Sequence, residues 1–174
     1  MQNINGTYTL DASHSRVGFV ARHAMVTKVR GHFNDAEATI TIGEDSTVNG
    51  TVQSASIDTG NAERDAHVRG EDFFHVEEFP TITFESTEIS INGNEAKVKG
   101  NLTIKGTTKP VTFNVEINGV AEDPFGNTRL GFEASTKINR KDFGIDFNAP
   151  LNTGGMLVSE EIKLEIEGSA IRQS

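Results

Sequence analysis

The chain has 174 residues, a formal net charge of −9 and no cysteine, a length that fits one domain over residues 1–174 with a sizeable core. Its acidity argues against a nucleic-acid binder and disfavours anionic membranes, while the missing cysteines exclude disulfides, thiolate metal ligands and a cysteine nucleophile. No apolar run approaches the roughly 20 residues that span a bilayer, and Met1-Gln2-Asn3-Ile4-Asn5-Gly6 lacks the shape of a signal peptide, so a cytoplasmic protein is expected.

Every-other-residue apolar spacing predicts strands over Tyr8–Leu10, Arg16–Met25, Val29–Ile42, Val48–Ile57, Thr81–Ile91, Ala96–Ile104, Val111–Val120, Thr128–Ile138 and Val158–Ile171. Turn residues separate them at Gly43-Glu44-Asp45-Ser46, Asn92-Gly93-Asn94, Gly106-Thr107-Thr108-Lys109-Pro110 and Asp123-Pro124-Phe125-Gly126-Asn127. The clearest hairpin puts Val98, Leu102, Ile104, Val111, Phe113, Val115 and Ile117 on one face, with Phe113 expected opposite Leu102 or Ile104. In the last strand Val158, Ile162, Leu164 and Ile166 share a face that Glu160 interrupts. Asn61–Arg69 breaks the two-residue period with good helix formers and reads as a short helix, packed down by Phe73, Phe74 and Phe79. A second break, Asn139 to Gly155, reads as a loop or short helix over a barrel end. Long, evenly spaced strands favour a closed antiparallel barrel of eight or nine strands over a two-sheet sandwich. Its interior is filled either by its own side chains or by a ligand.

Candidates for chemistry are few. His14 sits between Ser13 and Ser15, but neighbours on an extended chain point to opposite faces, so His14 is expected to order a turn rather than activate a serine. His14, His23 and His32 recur every nine residues without a metal-ligand spacing, and no metal or cofactor is expected. His23 continues the apolar face of Val17, Phe19 and Ala21, either as a core histidine or as a polar group orienting a ligand. Arg64 and His67 fall one helical turn apart, leaving Asp65 to pair with a neighbour; a solvated helix with ordinary ion pairs is the plainer alternative. Arg140, in Asn139-Arg140-Lys141-Asp142-Phe143-Gly144, reads either as an exposed turn residue or as a group at the barrel mouth that meets a polar head.

Taken in order, several stretches resemble the YceI-like family of polyisoprenoid-binding proteins. They are Asp11-Ala12-Ser13-His14-Ser15-Arg16-Val17-Gly18-Phe19 with His23, Val29-Arg30-Gly31-His32-Phe33, Ser56-Ile57-Asp58-Thr59-Gly60 and Arg64-Asp65-Ala66-His67-Val68. Asp72-Phe73-Phe74, Phe79-Pro80-Thr81-Ile82-Thr83-Phe84, Gly100-Asn101-Leu102-Thr103-Ile104-Lys105-Gly106, Thr108-Lys109-Pro110-Val111 and Ile138-Asn139-Arg140-Lys141-Asp142-Phe143-Gly144 continue the series. The resemblance implies an all-β, eight-stranded antiparallel lipocalin-like barrel with one or two short helices in its connections. Its elongated pocket would hold a long-chain isoprenoid lipid or similar amphiphile, head group near the mouth. Many relatives are periplasmic, whereas this chain lacks a signal peptide, and it carries Tyr8 where relatives often have Trp.

The reading that joins pattern and resemblance is a non-enzymatic carrier of a polyprenyl phosphate or isoprenoid quinone. Val17, Phe19, Ala21, Leu102, Ile104, Phe113, Val115 and Phe143 are expected around the ligand, with His23, Arg64, His67 and Arg140 near the head. Two alternatives stay open: an enzyme acting inside the barrel with His23 or His67 as general base, and an interaction module whose core is packed solid. Sticky edges and barrel ends are compatible with a homodimer.

Overall fold

The computed structural model describes residues 3–23, 27–145 and 159–173. Eleven strands, β1 (Gly6–Leu10), β2 (Arg16–His23), β3 (Thr27–Phe33), β4 (Ala36–Ile42), β5 (Thr47–Gln53), β6 (Ile57–Asp58), β7 (Thr81–Asn92), β8 (Glu95–Ile104), β9 (Thr107–Glu122), β10 (Thr128–Asn139) and β11 (Glu161–Arg172), form one antiparallel sheet. Helix α1 (Ala62–Arg69) lies between β6 and β7. The sheet closes because β1 pairs with both β4 and β11. Three of the barrel's eight staves are composite. β1 and β2 run end to end along β11, and the matching arm β4 and β3 pairs with them. The third is formed by β5 and β6, which pair with β4 and β3. Inward positions are apolar and outward ones polar, as in Lys97, Lys99 and Asn101 on β8, the reverse of a membrane-spanning barrel.

Interruptions on these staves depart from the plain two-residue period. Val29–Ile42 is not one strand: Asn34 and Asp35 break it, their amides bonding the Ser56 carbonyl at 3.1 Å and its hydroxyl at 3.0 Å. Val48–Ile57 likewise stops at Gln53, where a 3-10 turn over Ser54–Ser56 leads into the two-residue β6. The β8–β9 connection is a two-residue turn, because Lys105 and Gly106 both adopt positive φ, the hairpin-compatible I′ conformation. Thr107 to Pro110 therefore belong to β9. Phe113 pairs with Val98, not with Leu102 or Ile104, and Leu102 faces Lys109. Glu160 lies outside β11, exposed, with Lys141 Nζ 2.8 Å away. That ammonium holds its carboxyl below the usual carboxylate range.

The gap between β1 and β2 is stitched by the segment after β1. A 3-10 turn over Ala12–His14 interrupts pairing with β11, and Ser169 would lose its partners there. Instead its amide donates to Ser15 Oγ at 3.0 Å, and its carbonyl accepts from the Asp11 amide at 2.8 Å. Arg129 on β10 clamps the seam from outside. Its guanidinium reaches Asp11 Oδ2 at 2.9 Å, Asp123 Oδ2 at 2.7 Å and Ser169 Oγ at 3.2 Å. Hydrogen bonds from the Ser13 hydroxyl, Arg129 and His14 hold the Asp11 carboxyl well below the ordinary carboxylate range; Arg129 does the same for Asp123.

Both depressed carboxylates contribute stability above their unfolded range near pH 4, and that contribution is lost as pH falls through the folded values. Replacing Arg129 with Gln should therefore lower the urea midpoint at pH 7. The gap from the parent should narrow steadily below pH 4. Urea titrations between pH 2 and pH 7 check this; a gap of constant size would show that the clamp does not act through these charges.

Candidate ligand pocket

Inside the barrel is a cavity of about 750 Å³, lined almost entirely by inward apolar side chains of the strands. A barrel of this strand number holds either packed side chains or one ligand, so the emptiness needs a physical cause. The cause is a set of aromatic rings laid against the wall. Phe19 covers Gly31, its partner across β2 and β3; Phe132 covers Gly168, its partner across β10 and β11. Phe84 covers Gly100 on β8 in the same way. A Cβ on any of these glycines would collide with the ring above it. Phe84 and Phe113 meet edge to face at 5.3 Å. Large residues thus tile the wall and leave the axis open.

The two ends differ. One is narrowed by Tyr8, Ile40, Leu130 and Ala170, a buried cluster in which the Tyr8 hydroxyl donates to the Ile4 carbonyl at 2.8 Å. The cavity reaches Ile91, 40% exposed, on that side. At the other end the exposed residues Arg22, Asn61, Glu63 and His67 all line it, so a mouth opens between β2 and α1.

Helix α1 is set by local chemistry. The Asn61 side chain caps it by accepting from the Arg64 amide at 3.0 Å, and Gly70 ends it. Buried Asp65 accepts from the Thr59 amide at 2.9 Å and also binds its hydroxyl. Arg64 donates to the same residue, to Oγ1 at 2.8 Å and to the carbonyl at 2.7 Å. Asp65 thus pairs with Thr59, and Arg64 is tied to that residue rather than to a carboxylate. His67 Nε2 lies 3.1 Å from Asp72 Oδ2, with its ring edge-to-face on Phe73.

Val17, Phe19, Ala21, Leu102, Ile104, Phe113, Val115 and Phe143 line the cavity, and so do Arg64, His67 and Arg140. The backbone of His23 ends β2, but its side chain lies outside the described residues, as does the segment between Ile145 and Ser159. Arg140 is not an exposed turn residue. It is 3% exposed and donates to the Ile145 carbonyl at 2.7 Å and the Ser159 carbonyl at 2.9 Å, fastening the two ends of the β10–β11 connection. Sequence reasoning missed Gly31, Gly100, Gly168, Phe84 and Phe132. The signal for them is an inward Gly beside an inward Phe, visible only once strand register is known.

His14 does reach Ser13, because the turn is 3-10 and not extended: Nδ1 is 3.1 Å from Ser13 Oγ and 2.7 Å from Asp11 Oδ2. A serine relay needs one ring nitrogen for the serine and the other for the carboxylate, so this arrangement orders the turn and activates nothing. Among the described residues no group of His, Asp and Glu is arranged to hold a metal ion, and no helix is long and apolar enough to cross a membrane.

A closed antiparallel barrel with a hollow apolar lumen and a polar mouth defines a lipocalin-like protein. The sequence profile of the YceI-like domain matches residues 8–170, and the chain belongs to the YceI-like family. It is 39% identical over 178 residues to a UPF0312 protein of Pseudomonas aeruginosa (strain LESB58), covering 99% of this chain and 90% of that one. A UPF0312 protein of Staphylococcus aureus (strain N315) is 39% identical over 163 residues, covering 91% and 93%. Among solved structures, the Campylobacter jejuni YCEI protein superposes with a TM-score of 0.76 at 32% identity, covering all of both chains. BcnA of Burkholderia cenocepacia gives 0.78 at 26% identity over 92% of this chain and 98% of that chain. A polyisoprenoid binding domain from Saccharophagus degradans, implicated in plant cell wall breakdown, shares the fold at 0.73 and 13% identity, covering 95% and 98%.

Replacing Gly168 with Ala should drive the Phe132 ring off the wall into the lumen. Overpacking of this kind costs about 1–3 kcal/mol, and uptake of an apolar fluorescent probe should drop. Adding Phe132→Leu should restore both. A Gly168→Ala protein with unchanged stability and probe uptake would contradict wall tiling.

Proposed function

We propose that this protein binds a long-chain isoprenoid amphiphile, such as a polyprenyl phosphate or isoprenoid quinone, and stores or carries it without chemical change. The observation that carries the reading is the hollow lumen: about 750 Å³ of apolar-walled space with a polar mouth. That volume lies within the roughly 300–1,000 Å³ of ordinary ligand pockets. The polyisoprenoid binding domain of Saccharophagus degradans, which shares the fold, supports the ligand class.

The energetics suit a tail-driven binder. Each buried CH₂ is worth about 0.8 kcal/mol, so one five-carbon unit yields roughly 3 kcal/mol before ordering costs. A few units give tight binding without a dedicated polar site. The head then rests at the mouth beside Arg64 and His67. Arg64 uses Nε and Nη2 to hold Thr59, which leaves Nη1 to donate to a phosphate or quinone oxygen. Arg140 supports the pocket from behind through backbone carbonyls.

Organic extraction of the purified protein followed by mass spectrometry should release an isoprenoid lipid in near-stoichiometric amount. An empty extract, together with no uptake of added polyprenyl phosphate, would defeat the proposal. Phe113→Ala gives a second test. In a packed core a Phe→Ala cavity costs about 3–5 kcal/mol, but here the tail can occupy the vacated space and binding stabilises the folded state. The unfolding free-energy loss should be smaller with polyprenyl lipid than without it; a full loss in both would mean that no ligand reaches Phe113.

A further inference from the structure

The chain carries a net charge of −9, yet one part of its outer wall is basic. Strand register lines up Lys137, Lys163, Val20 and Arg30 in a single row across β10, β11, β2 and β3. Arg22 and Lys28 pair in the adjacent row, toward the mouth. All five cations are exposed. Lys163 has a partner, Glu165 at 3.3 Å, whereas Arg22, Lys28, Arg30 and Lys137 form no ion pair among the described residues. On β11 Glu161 and Glu165 flank Lys163, whereas the outward residues of β2 and β3 from Gly18 to Arg22 and from Lys28 to His32 include no acid. Arg22 also lines the cavity, so the basic strip begins at the rim through which a ligand passes.

We propose that this strip docks the barrel onto an anionic lipid bilayer, with the basic wall against the membrane and the rim at Arg22 beside it, for loading and unloading of the cargo; the inference rests on the lipid-binding reading above. A bilayer surface presents phosphates across a plane broad enough to meet all five cations together, and it is the reservoir in which a long-chain amphiphile resides. Juxtaposed Lys and Arg residues are the recognised footprint for such surfaces. The overall negative charge does not cancel the attraction. Glu63 and Asp72 stand at the mouth, Asp72 3.1 Å from His67, off the basic wall itself. Glu71 belongs to the segment that packs under β7 and β8, where Lys105 Nζ donates to its carbonyl at 2.9 Å. In the closed strand order, β7 and β8 lie diametrically opposite β11 and β2. Eight strands spaced about 4.8 Å apart and tilted about 40° enclose a barrel roughly 15 Å across. That exceeds the Debye length of about 10 Å at 0.1 M salt, so a membrane against the basic wall is largely screened from the acidic one.

The test is co-sedimentation with vesicles of phosphatidylglycerol and phosphatidylcholine in equal parts, beside vesicles of phosphatidylcholine alone. The protein should bind the anionic vesicles at low ionic strength, release them as salt rises, and ignore the neutral ones. Arg30→Glu combined with Lys163→Glu should weaken binding at least tenfold. Lys97→Glu combined with Lys99→Glu, the same charge change on the opposite wall, should leave it nearly intact. Uptake of polyprenyl phosphate from detergent, measured separately, should match the parent in both variants. Equal loss in the two variants would assign the attraction to bulk charge and overturn the docking surface, and so would absence of vesicle binding by the parent. If vesicle binding fails while uptake persists, only the surface is lost. If uptake fails while vesicle binding persists, it is the lipid-binding reading that falls.

Discussion

The barrel depends on the two edges of β11. Along one edge it pairs with β10 in unbroken register from Arg129–Ile171 to Asn139–Glu161. Along the other it must satisfy two separate strands, β2 over its first half and β1 over its last residues. A sheet that failed to close here would expose unpaired backbone on both sides of the seam and open the lumen to water. The weak point is Ser169, between the two ladders. Asp11 and Ser15 supply its backbone partners from a turn, and Arg129 holds that turn by its carboxylate. The dense polar motif near the start of the chain is thus a closure device. The Asp11 amide and the Ser15 hydroxyl complete a hydrogen-bond ladder that regular strand pairing leaves unfinished, while Ser13 and His14 hold the Asp11 carboxylate.

Closure alone yields a barrel that could be solid. The inward rings of Phe19, Phe84 and Phe132 carry enough volume to fill much of the lumen if they projected to the axis. Glycines at neighbouring inward positions let each ring fold flat onto bare backbone. The arrangement also protects the sheet, because an uncovered glycine in a strand packs poorly and leaves its backbone exposed. Wall integrity and lumen volume therefore come from the same pairs. A change that spoils one spoils the other, which is why the size of the pocket is a property of strand register and not of any one side chain.

Much of this architecture was legible in residue order. Alternating apolar positions in β8 to β11 report directly which face is inward, since one side of the sheet is wet and the other is not. The helical break at Ala62–Arg69 was equally plain, with Asn61 as its cap. The losses fall where backbone hydrogen bonds are satisfied by something other than a strand. At Asn34 and Asp35 the partner is Ser56, more than twenty residues away, so nothing local marks the end of β3. At Lys105 the backbone takes positive φ without being glycine, which shortened the turn and moved Phe113 opposite Val98. Arg140 shows the same limit in the site itself. A basic residue in a turn suggests an exposed charge, and only tertiary folding reveals that two carbonyls had claimed it.

The unequal ends of the lumen give binding a direction on the proposed reading. An amphiphile entering tail-first exchanges water for the apolar wall at each step, while its head stays hydrated beside Arg22, Arg64 and His67. Entering head-first, it would strand a polar or charged group against Ile40 and Leu130, where desolvation without a partner costs several kcal/mol. No specific head-group contact is needed to enforce this polarity, because the apolar cluster at one end and the polar helix at the other already impose it. Selection then falls mainly on how much tail the lumen can cover. A protein built this way discriminates by apolar length and girth, and tolerates a variety of heads at its mouth.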